Sequence, residues 1–350
     1  MLECHHKLDL STHDSNFLKL KVNGLPLIHN FRDLANFLEI SDLLLKDYFK
    51  FNSRILTYNT FFITKKSGGR REIITPTPEL KQIQLKILRE ILEKVKPSEF
   101  AHGFTKERSI VSNAKEHLKS LITYHIDLVD FFPSIKLYKV CKVFMNIGYS
   151  EYISHLFGLL CTFLPKYDYG IQDKTLLNLY KAAFLPQGAC TSPIISNLVC
   201  DQLDKELSEF AMRYGLRYTR YADDITFSSQ SKRYITTNLI KKIHSSIEAH
   251  GFSINRKKER LSYNRNFQRV TGINVQNSQP SLPRRWIKNL RSALYHLKND
   301  YKYLDDSVME IMKNIEGRCA YALMVNKEKY NHFYQDFISI KNMINKNLKL

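Results

Sequence analysis

Arg217-Tyr218-Thr219-Arg220-Tyr221-Ala222-Asp223-Asp224-Ile225-Thr226-Phe227-Ser228 sets two β-prone runs around a two-residue centre and places adjacent carboxylates at the tip. Tyr218, Ile225 and Phe227 favour extended backbone, and Ala222-Asp223 is short enough to be the turn of a hairpin. Aspartate is depleted in strands and neighbouring carboxylates repel, so the pair costs stability until a cation compensates it. Magnesium suits that place because it prefers carboxylate oxygens and commonly binds through one or two of them plus substrate phosphates. Taken alone, the dipeptide reads more readily as a solvated acidic turn than as a metal site, and the rest of the chain must overturn that reading.

Composition points to a polyanionic partner. The 350 residues include 53 Lys+Arg against 34 Asp+Glu, a formal charge of +19 with a pI near 9.5, which favours nucleic acid over an anionic membrane surface. Twenty Tyr and 21 Phe supply flat apolar surface for a core and for stacking on bases. Cys4, Cys141, Cys161, Cys190, Cys200 and Cys319 form no C-x-x-C pair and no regular framework, which argues against a zinc site or a disulfide scaffold and predicts reduced thiols in a cytoplasmic protein. Met1-Leu2-Glu3-Cys4-His5-His6 does not read as a secretory signal. The most apolar segment, Ile153 to Leu164, carries His155, stops at Pro165 and is too short to span a bilayer, so no membrane partner is expected.

Periodicity predicts one continuous α+β unit without repeats or linkers. Short helices are expected over residues 15–60, a hairpin from Phe61 to Pro76 around Ser67-Gly68-Gly69, and a helix opened by Thr77-Pro78 with Leu80, Ile83, Ile87, Ile91 and Val95 along one face. Tyr124 to Val129 alternates as a strand, and Pro133-Ser134 leads into a helix through Phe144. Ser192-Pro193 caps a helix with Ile195, Leu198, Leu203, Leu207 and Phe210 inward until Gly215 stops it. A helix over about 232–250, short strands around 252–276 and a basic helical tail from about 283 complete the reading.

A second acid joins the pair. Within Tyr124-His125-Ile126-Asp127-Leu128-Val129-Asp130-Phe131-Phe132, an aspartate in an apolar strand needs a partner. If this strand lies beside the hairpin, Asp127 and Asp223 can hold two metal ions roughly 3.5–4 Å apart, the arrangement used for in-line displacement at phosphorus. Asp127 or Asp130 as a capping or surface acid is the alternative.

These residues resemble the palm of the reverse transcriptases, with its aspartate strand and Tyr-x-Asp-Asp hairpin. Leu185-Pro186-Gln187-Gly188-Ala189-Cys190-Thr191-Ser192-Pro193 is similar to the palm's third signature in bacterial members. There Gly188 permits close backbone approach to a base pair, and Gln187 can hydrogen-bond the incoming nucleotide or template. Lys65-Lys66-Ser67-Gly68-Gly69-Arg70-Arg71 resembles the fingers hairpin whose arginine grips the triphosphate, Arg71 matching best and Arg70 being the alternate. His102-Gly103-Phe104-Thr105-Lys106-Glu107-Arg108 resembles the next fingers motif, with Arg108 as a phosphate or template contact. Gly251-Phe252-Ser253-Ile254-Asn255-Arg256-Lys257-Lys258 looks like the motif whose lysine protonates departing pyrophosphate, and Lys258 fits the spacing. Glu259 stands where relatives often carry threonine, which leaves a solvated basic turn as the other reading. Phe132, five positions after Asp127, takes the place of the aromatic ring that leaves no room for a 2′-hydroxyl, implying deoxynucleoside triphosphate substrates.

Asn113-Ala114-Lys115-Glu116-His117 and Val270-Thr271-Gly272 match the Asn-Ala-x-x-His and Val-Thr-Gly elements of retron reverse transcriptases. The resemblance implies a right-hand polymerase with fingers, a palm of antiparallel sheet plus helices, and a helical thumb. Its segments are an N-terminal helical extension (1–60), fingers (61–122), palm (123–277, with finger-side helices about 142–184) and an RNA-binding thumb (278–350). It further implies Mg2+, two ions per site with Mn2+ as a substitute, held by Asp127, Asp223, Asp224 and the Leu128 carbonyl. The implied activity is copying part of a cognate structured non-coding RNA into branched multicopy single-stranded DNA primed from a 2′-hydroxyl of that RNA. An effector protein encoded nearby and a role in antiphage defence follow from the same resemblance. RNA contacts are expected from Arg108, Asn113, His117, Val270, Thr271, Gly272, Arg284 and Arg285, with Trp286, Leu290, Leu294 and Leu297 packed inward on the thumb helix. The alternatives are another defence-associated or group II-like bacterial reverse transcriptase, and a non-catalytic RNA-binding scaffold or antitoxin.

Overall fold

The computed structural model describes residues 18–50, 53–54, 56–64, 68–165, 182–231, 235–263, 268–301 and 308–348. The expected triplet Lys65-Lys66-Ser67 therefore lies outside the described residues, as do residues 166–181. Along the chain, helices α1 (Phe31–Leu38) and α2 (Asp42–Phe49) precede strands β1 (Tyr58–Thr64) and β2 (Arg70–Pro76). Helices α3 (Pro78–Glu90) and α4 (Ile110–Glu116) then lead to β3 (Ile122–Val129), followed by α5 (Phe131–Ser134), α6 (Leu137–Ile147), α7 (Glu151–Cys161), α8 (Ser192–Val199) and α9 (Asp201–Arg213). The hairpin β4 (Arg217–Tyr221) and β5 (Asp224–Ser229), helix α10 (Thr237–Ala249) and short strands β6 (Ser253–Ile254), β7 (Arg260–Tyr263), β8 (Arg269–Val270) and β9 (Ile273–Asn274) follow. Three long helices close the chain: α11 (Arg284–Asp300), α12 (Val308–Val325) and α13 (Lys327–Leu348).

The chain divides into two compact units, one of residues 1–104, 128–206 and 244–255 and the other of residues 105–127, 207–243 and 256–350. In the first, β1 and β2 pair antiparallel from Tyr58 opposite Pro76 to Thr64 opposite Arg70. Helix α3 starts as its sequence requires, with the Thr77 hydroxyl accepting from the Leu80 N–H and Pro78 in the first turn where its missing N–H costs nothing. It buries Leu80, Ile83 and Ile87, while fully buried Gln84 is satisfied by the Tyr58 hydroxyl and the Leu160 carbonyl, both at 2.8 Å. Val95 falls beyond this helix, which ends at Glu90. The expected helix from Ser192 to Gly215 is two helices. At Cys200 (φ −83°, ψ −1°) the N–H is shared among the Ser196, Asn197 and Leu198 carbonyls, a tightened turn that separates the two helices.

In the second unit β3 lies between β5 and β7, antiparallel to both, and β5 pairs outward with β4. Beyond it the three closing helices share one core. Leu290, Leu294 and Leu297 repeat along one face of α11, are buried as their spacing predicts, and meet Met312, Ile315, Cys319 and Ala322 of α12 and Phe333, Phe337, Ile340 and Ile344 of α13. Each such buried leucine contributes about 1.5–3 kcal/mol. Trp286 is only half-buried, its ring tilted against that of Tyr321 with centroids 5.4 Å apart and the Arg318 guanidinium 5.8 Å above it. Val111 and Ala114 of α4 sink into the same core, so this short helix belongs to it as much as to the sheet.

Candidate active site

Register builds the acidic cluster in the second unit. In the β3–β5 pairing Asp127 stands directly opposite Asp224, and Asp223 occupies the turn that joins β5 to β4. Ala222 in that turn has φ 56°, a left-handed conformation that costs a side-chain-bearing residue about 1–2 kcal/mol. Fully buried Arg220 donates from Nη1 to the Ala222 carbonyl at 3.2 Å and pins the turn in place. On its other side β3 pairs with β7, Arg260 opposite His125; continuing that antiparallel register sets Lys258 opposite Asp127. There its Nζ lies 2.8 Å from Asp127 Oδ2.

Electrostatics follow from this crowding. Desolvation first, then the Asp223 and Asp127 charges, push the Asp224 carboxyl from 3.8 up to about 6, with Lys258 opposing. Lys258 is raised in turn, chiefly by its hydrogen bond to Asp127 and further by all three carboxylates. Glu259 accepts from the Tyr124 hydroxyl and from Arg256 Nη1, the latter at 3.2 Å. Tyr124 lies on β3, so this contact holds the Lys258 turn against the strand that carries Asp127. Among the described residues no three His, Cys, Asp or Glu side chains already close around a metal ion. The donor set nevertheless fits magnesium: hard carboxylate oxygens, mutual repulsion that a cation relieves, and an ammonium group on Asp127 supplying positive charge in this arrangement.

Nucleotide-facing candidates stand in the first unit. Gly188 has φ 141°, and a Cβ there would come within 2.8 Å of the Ile74 carbonyl and 3.1 Å of Ile73 Cγ2, so strand β2 leaves room only for glycine. The Gln187 carbonyl accepts from the Ile74 N–H at 2.9 Å and ties the loop to the same strand. Arg70 and Arg71 are both exposed, and as neighbours on a strand they point to opposite faces. Arg71 shares the face of Ile73, the side against which Gly188 rests. Phe132 is half-buried and braced by Phe131 (ring centroids 5.5 Å apart) and by Phe104 (6.1 Å). Phe104 carries no mark of a site residue in the sequence; it is 46% exposed with φ 58°, and its neighbour Gly103 receives a buried 2.8 Å hydrogen bond from Asn197. Only the Phe104–Phe132 contact shows its relevance, and contacts between distant positions leave no mark in local pattern. Leu128 is buried on β3 opposite Ile254.

Comparison with known proteins gives the family. Residues 63–304 match the family described as reverse transcriptase (RNA-dependent DNA polymerase). The chain is 34% identical to the retron Ec86 reverse transcriptase of Escherichia coli over 81% of this chain and 82% of that one. It is 33% identical to the retron Mx162 reverse transcriptase of Myxococcus xanthus (90% and 68% covered) and 31% identical to the Mx65 enzyme of the same organism (87% and 70%). The chain belongs to the retron reverse transcriptases. It is therefore an RNA-directed DNA polymerase of right-hand, α+β architecture, acting on an RNA template and nucleotide substrates, in a family that uses divalent metal ions. Among the described residues no helix is long and apolar enough to cross a membrane, and Cys141, Cys161, Cys190, Cys200 and Cys319 are free thiols.

Burial corrects part of the expected RNA surface of this retron reverse transcriptase. Asn113, His117 and Val270 are 1%, 0% and 0% exposed, so their side chains face protein and offer nothing to RNA. His117 instead bonds hydroxyls on β4 and β5, and Val270 fills the helical core. Thr271 is half-buried, Gly272 is exposed at the turn beside it, Arg108 is half-buried, and Arg284 and Arg285 are exposed.

Proposed function

We propose that this retron reverse transcriptase copies part of a cognate structured non-coding RNA into single-stranded DNA that stays joined to the RNA, priming from a 2′-hydroxyl of that RNA. What carries the catalytic part of this reading is the placement of Asp127 opposite Asp224, with Asp223 in the adjoining turn and Lys258 on Asp127. The three carboxylates, with the Leu128 carbonyl, would hold two Mg2+ ions, Mn2+ substituting. Bound there, the metals supply activation of the attacking hydroxyl and charge stabilisation on the phosphates. Lys258 then donates a proton to departing pyrophosphate. Arg71 grips the triphosphate with its planar fork, Gln187 and Gly188 line the base pair, and Phe132, braced by two rings, excludes a 2′-hydroxyl.

The segments 1–60, 61–122, 123–277 and 278–350 serve as N-terminal extension, fingers, palm and thumb in this reading. Arg284 and Arg285 are exposed in the first turn of α11, where the helix dipole disfavours cations and the turn itself contains no acidic residue. RNA phosphate there offsets that cost, and Arg108 and the Thr271–Gly272 turn extend the same role. The setting is the cytoplasm, with a neighbouring effector protein restrained by the RNA–DNA complex until phage infection.

Purified protein with its cognate RNA, magnesium and deoxynucleotides is expected to make DNA, and Asp223→Asn with Asp224→Asn to lower synthesis by about a thousandfold or more. Full activity in the double variant overturns the assignment. Nucleic acid carried through purification from the native host is expected to contain a discrete single-stranded DNA that shifts in size after RNase or debranching treatment. Heterogeneous RNA without DNA sinks the retron-specific part.

A further inference from the structure

Helix α4 is tied at both ends by polar side chains that have no part in the chemistry described above. At its first turn the Thr271 hydroxyl donates to the Ile110 carbonyl at 3.0 Å. Thr271 and Gly272 form the two-residue turn between β8 and β9, with φ 46° and 84°, the left-handed pair that a tight hairpin of this type demands. Glycine adopts that conformation freely, whereas a β-branched residue does so only under restraint. The restraint here is the bond from the Thr271 hydroxyl to the Ile110 carbonyl of α4.

At the other end His117 caps α4 and is fully buried. Its Nδ1 lies 2.7 Å from Ser228 Oγ and its Nε2 2.7 Å from Thr219 Oγ1. Ser228 is on β5 and Thr219 on β4, so one imidazole spans the two strands whose turn carries Asp223 and whose first β5 residue is Asp224. Strand alternation puts Ser228 on the same face of β5 as Asp224. A second tie runs from Arg217 Nη1 on β4 to the Glu116 carbonyl at 2.6 Å. Between the ties, Val111 and Ala114 lock the helix into the core that also holds Val270 and Ile273 of the β8–β9 hairpin. The chain of contacts Thr271, Ile110, α4, His117, β4–β5 is thus continuous, and it starts at an exposed turn with exposed Arg269 beside it.

We infer that His117 and Thr271 are positioning residues, and that α4 transmits the state of the Thr271–Gly272 turn to the hairpin that bears the catalytic aspartates. This rests on the polymerase reading above. Nucleic acid seated at the exposed turn fixes α4, and His117 fixes the registry of β4 against β5. Alignment of Asp223 and Asp224 then depends on a contact made at a distance from them.

Primer extension on poly(rA)·oligo(dT) with deoxythymidine triphosphate tests it, using the full chain with thermal melting as a check of folding. Thr271→Val removes the hydroxyl and keeps the shape; it is expected to lower kcat about tenfold with KM for the nucleotide unchanged. Thr271→Ser, which keeps the hydroxyl, is expected to restore kcat. His117→Gln is expected to lower kcat likewise, and the double variant Thr271→Val, His117→Gln to be no slower than His117→Gln alone, because both act through one path. Wild-type kcat in Thr271→Val, equal losses in the Val and Ser variants, or multiplicative losses in the double variant overturn the relay. No DNA synthesis by the wild-type protein either on this template or on its cognate RNA overturns the catalytic-site reading, a distinct failure.

Discussion

At the residue scale, the site is a set of like charges held close by strand register. Asp224, raised to about 6 against 3.8 for an ordinary aspartate, binds its proton more tightly folded than unfolded. Its contribution to the stability of the metal-free protein is therefore full below about pH 4 and is lost as pH rises through 6. Metal needs the ionised form, so added magnesium should raise the melting temperature clearly at pH 7.5 and little at pH 5. Asp224→Asn should flatten that difference, and an unchanged pH response in the variant would refute the assignment. The three aspartates were legible from two short strings because acids in apolar strands are conspicuous. The partners that orient Lys258 were not: Glu259 reads as an anomaly in sequence, and only its bonds to Tyr124 and Arg256 give it a purpose.

At the element scale, close packing explains the glycine that a motif merely displays. Strand β2 lies against the Gln187–Gly188 loop so closely that Gly188→Ala must move the Ile74 carbonyl or distort a backbone at φ 141°. The substitution is expected to cost about 1–3 kcal/mol, read as a lowered denaturation midpoint, together with weaker nucleotide binding. A wild-type midpoint would show that the loop yields freely. Hairpins and capped helices were legible because their signals are local: Thr77-Pro78 at a helix start, two residues between β-prone runs. The break at Cys200 was not, since apolar spacing runs on through it and the tightened turn is made by backbone. Nor was the inward turn of Asn113 and His117, because polar residues at a helix end look the same from sequence whether they meet RNA or a hydroxyl on a neighbouring strand.

At the scale of the whole molecule, a charge of +19 makes RNA affinity strongly salt-dependent. Arg284→Ala and Arg285→Ala are each expected to lower the slope of log affinity against log salt by about 1, with similar loss across RNA sequences, measured by filter binding or fluorescence anisotropy between low and physiological salt. Unchanged slopes would remove α11's first turn from the RNA interface. By itself the sequence determined the family, through the order of its motifs, and marked the candidates for the chemistry: the carboxylates, the aromatic ring and the basic helix. Those are properties of residue type and local spacing, and neither needs a neighbour distant in the chain. Tertiary structure decided which polar residues are spent inside. It buried the side chains of Asn113, His117 and Val270 in protein, set Arg71 rather than Arg70 on the face of Gly188, and braced Phe132 with Phe104. Burial and strand face arise only when residues far apart in sequence pack together, and that packing chooses between a contact with substrate and a contact with self.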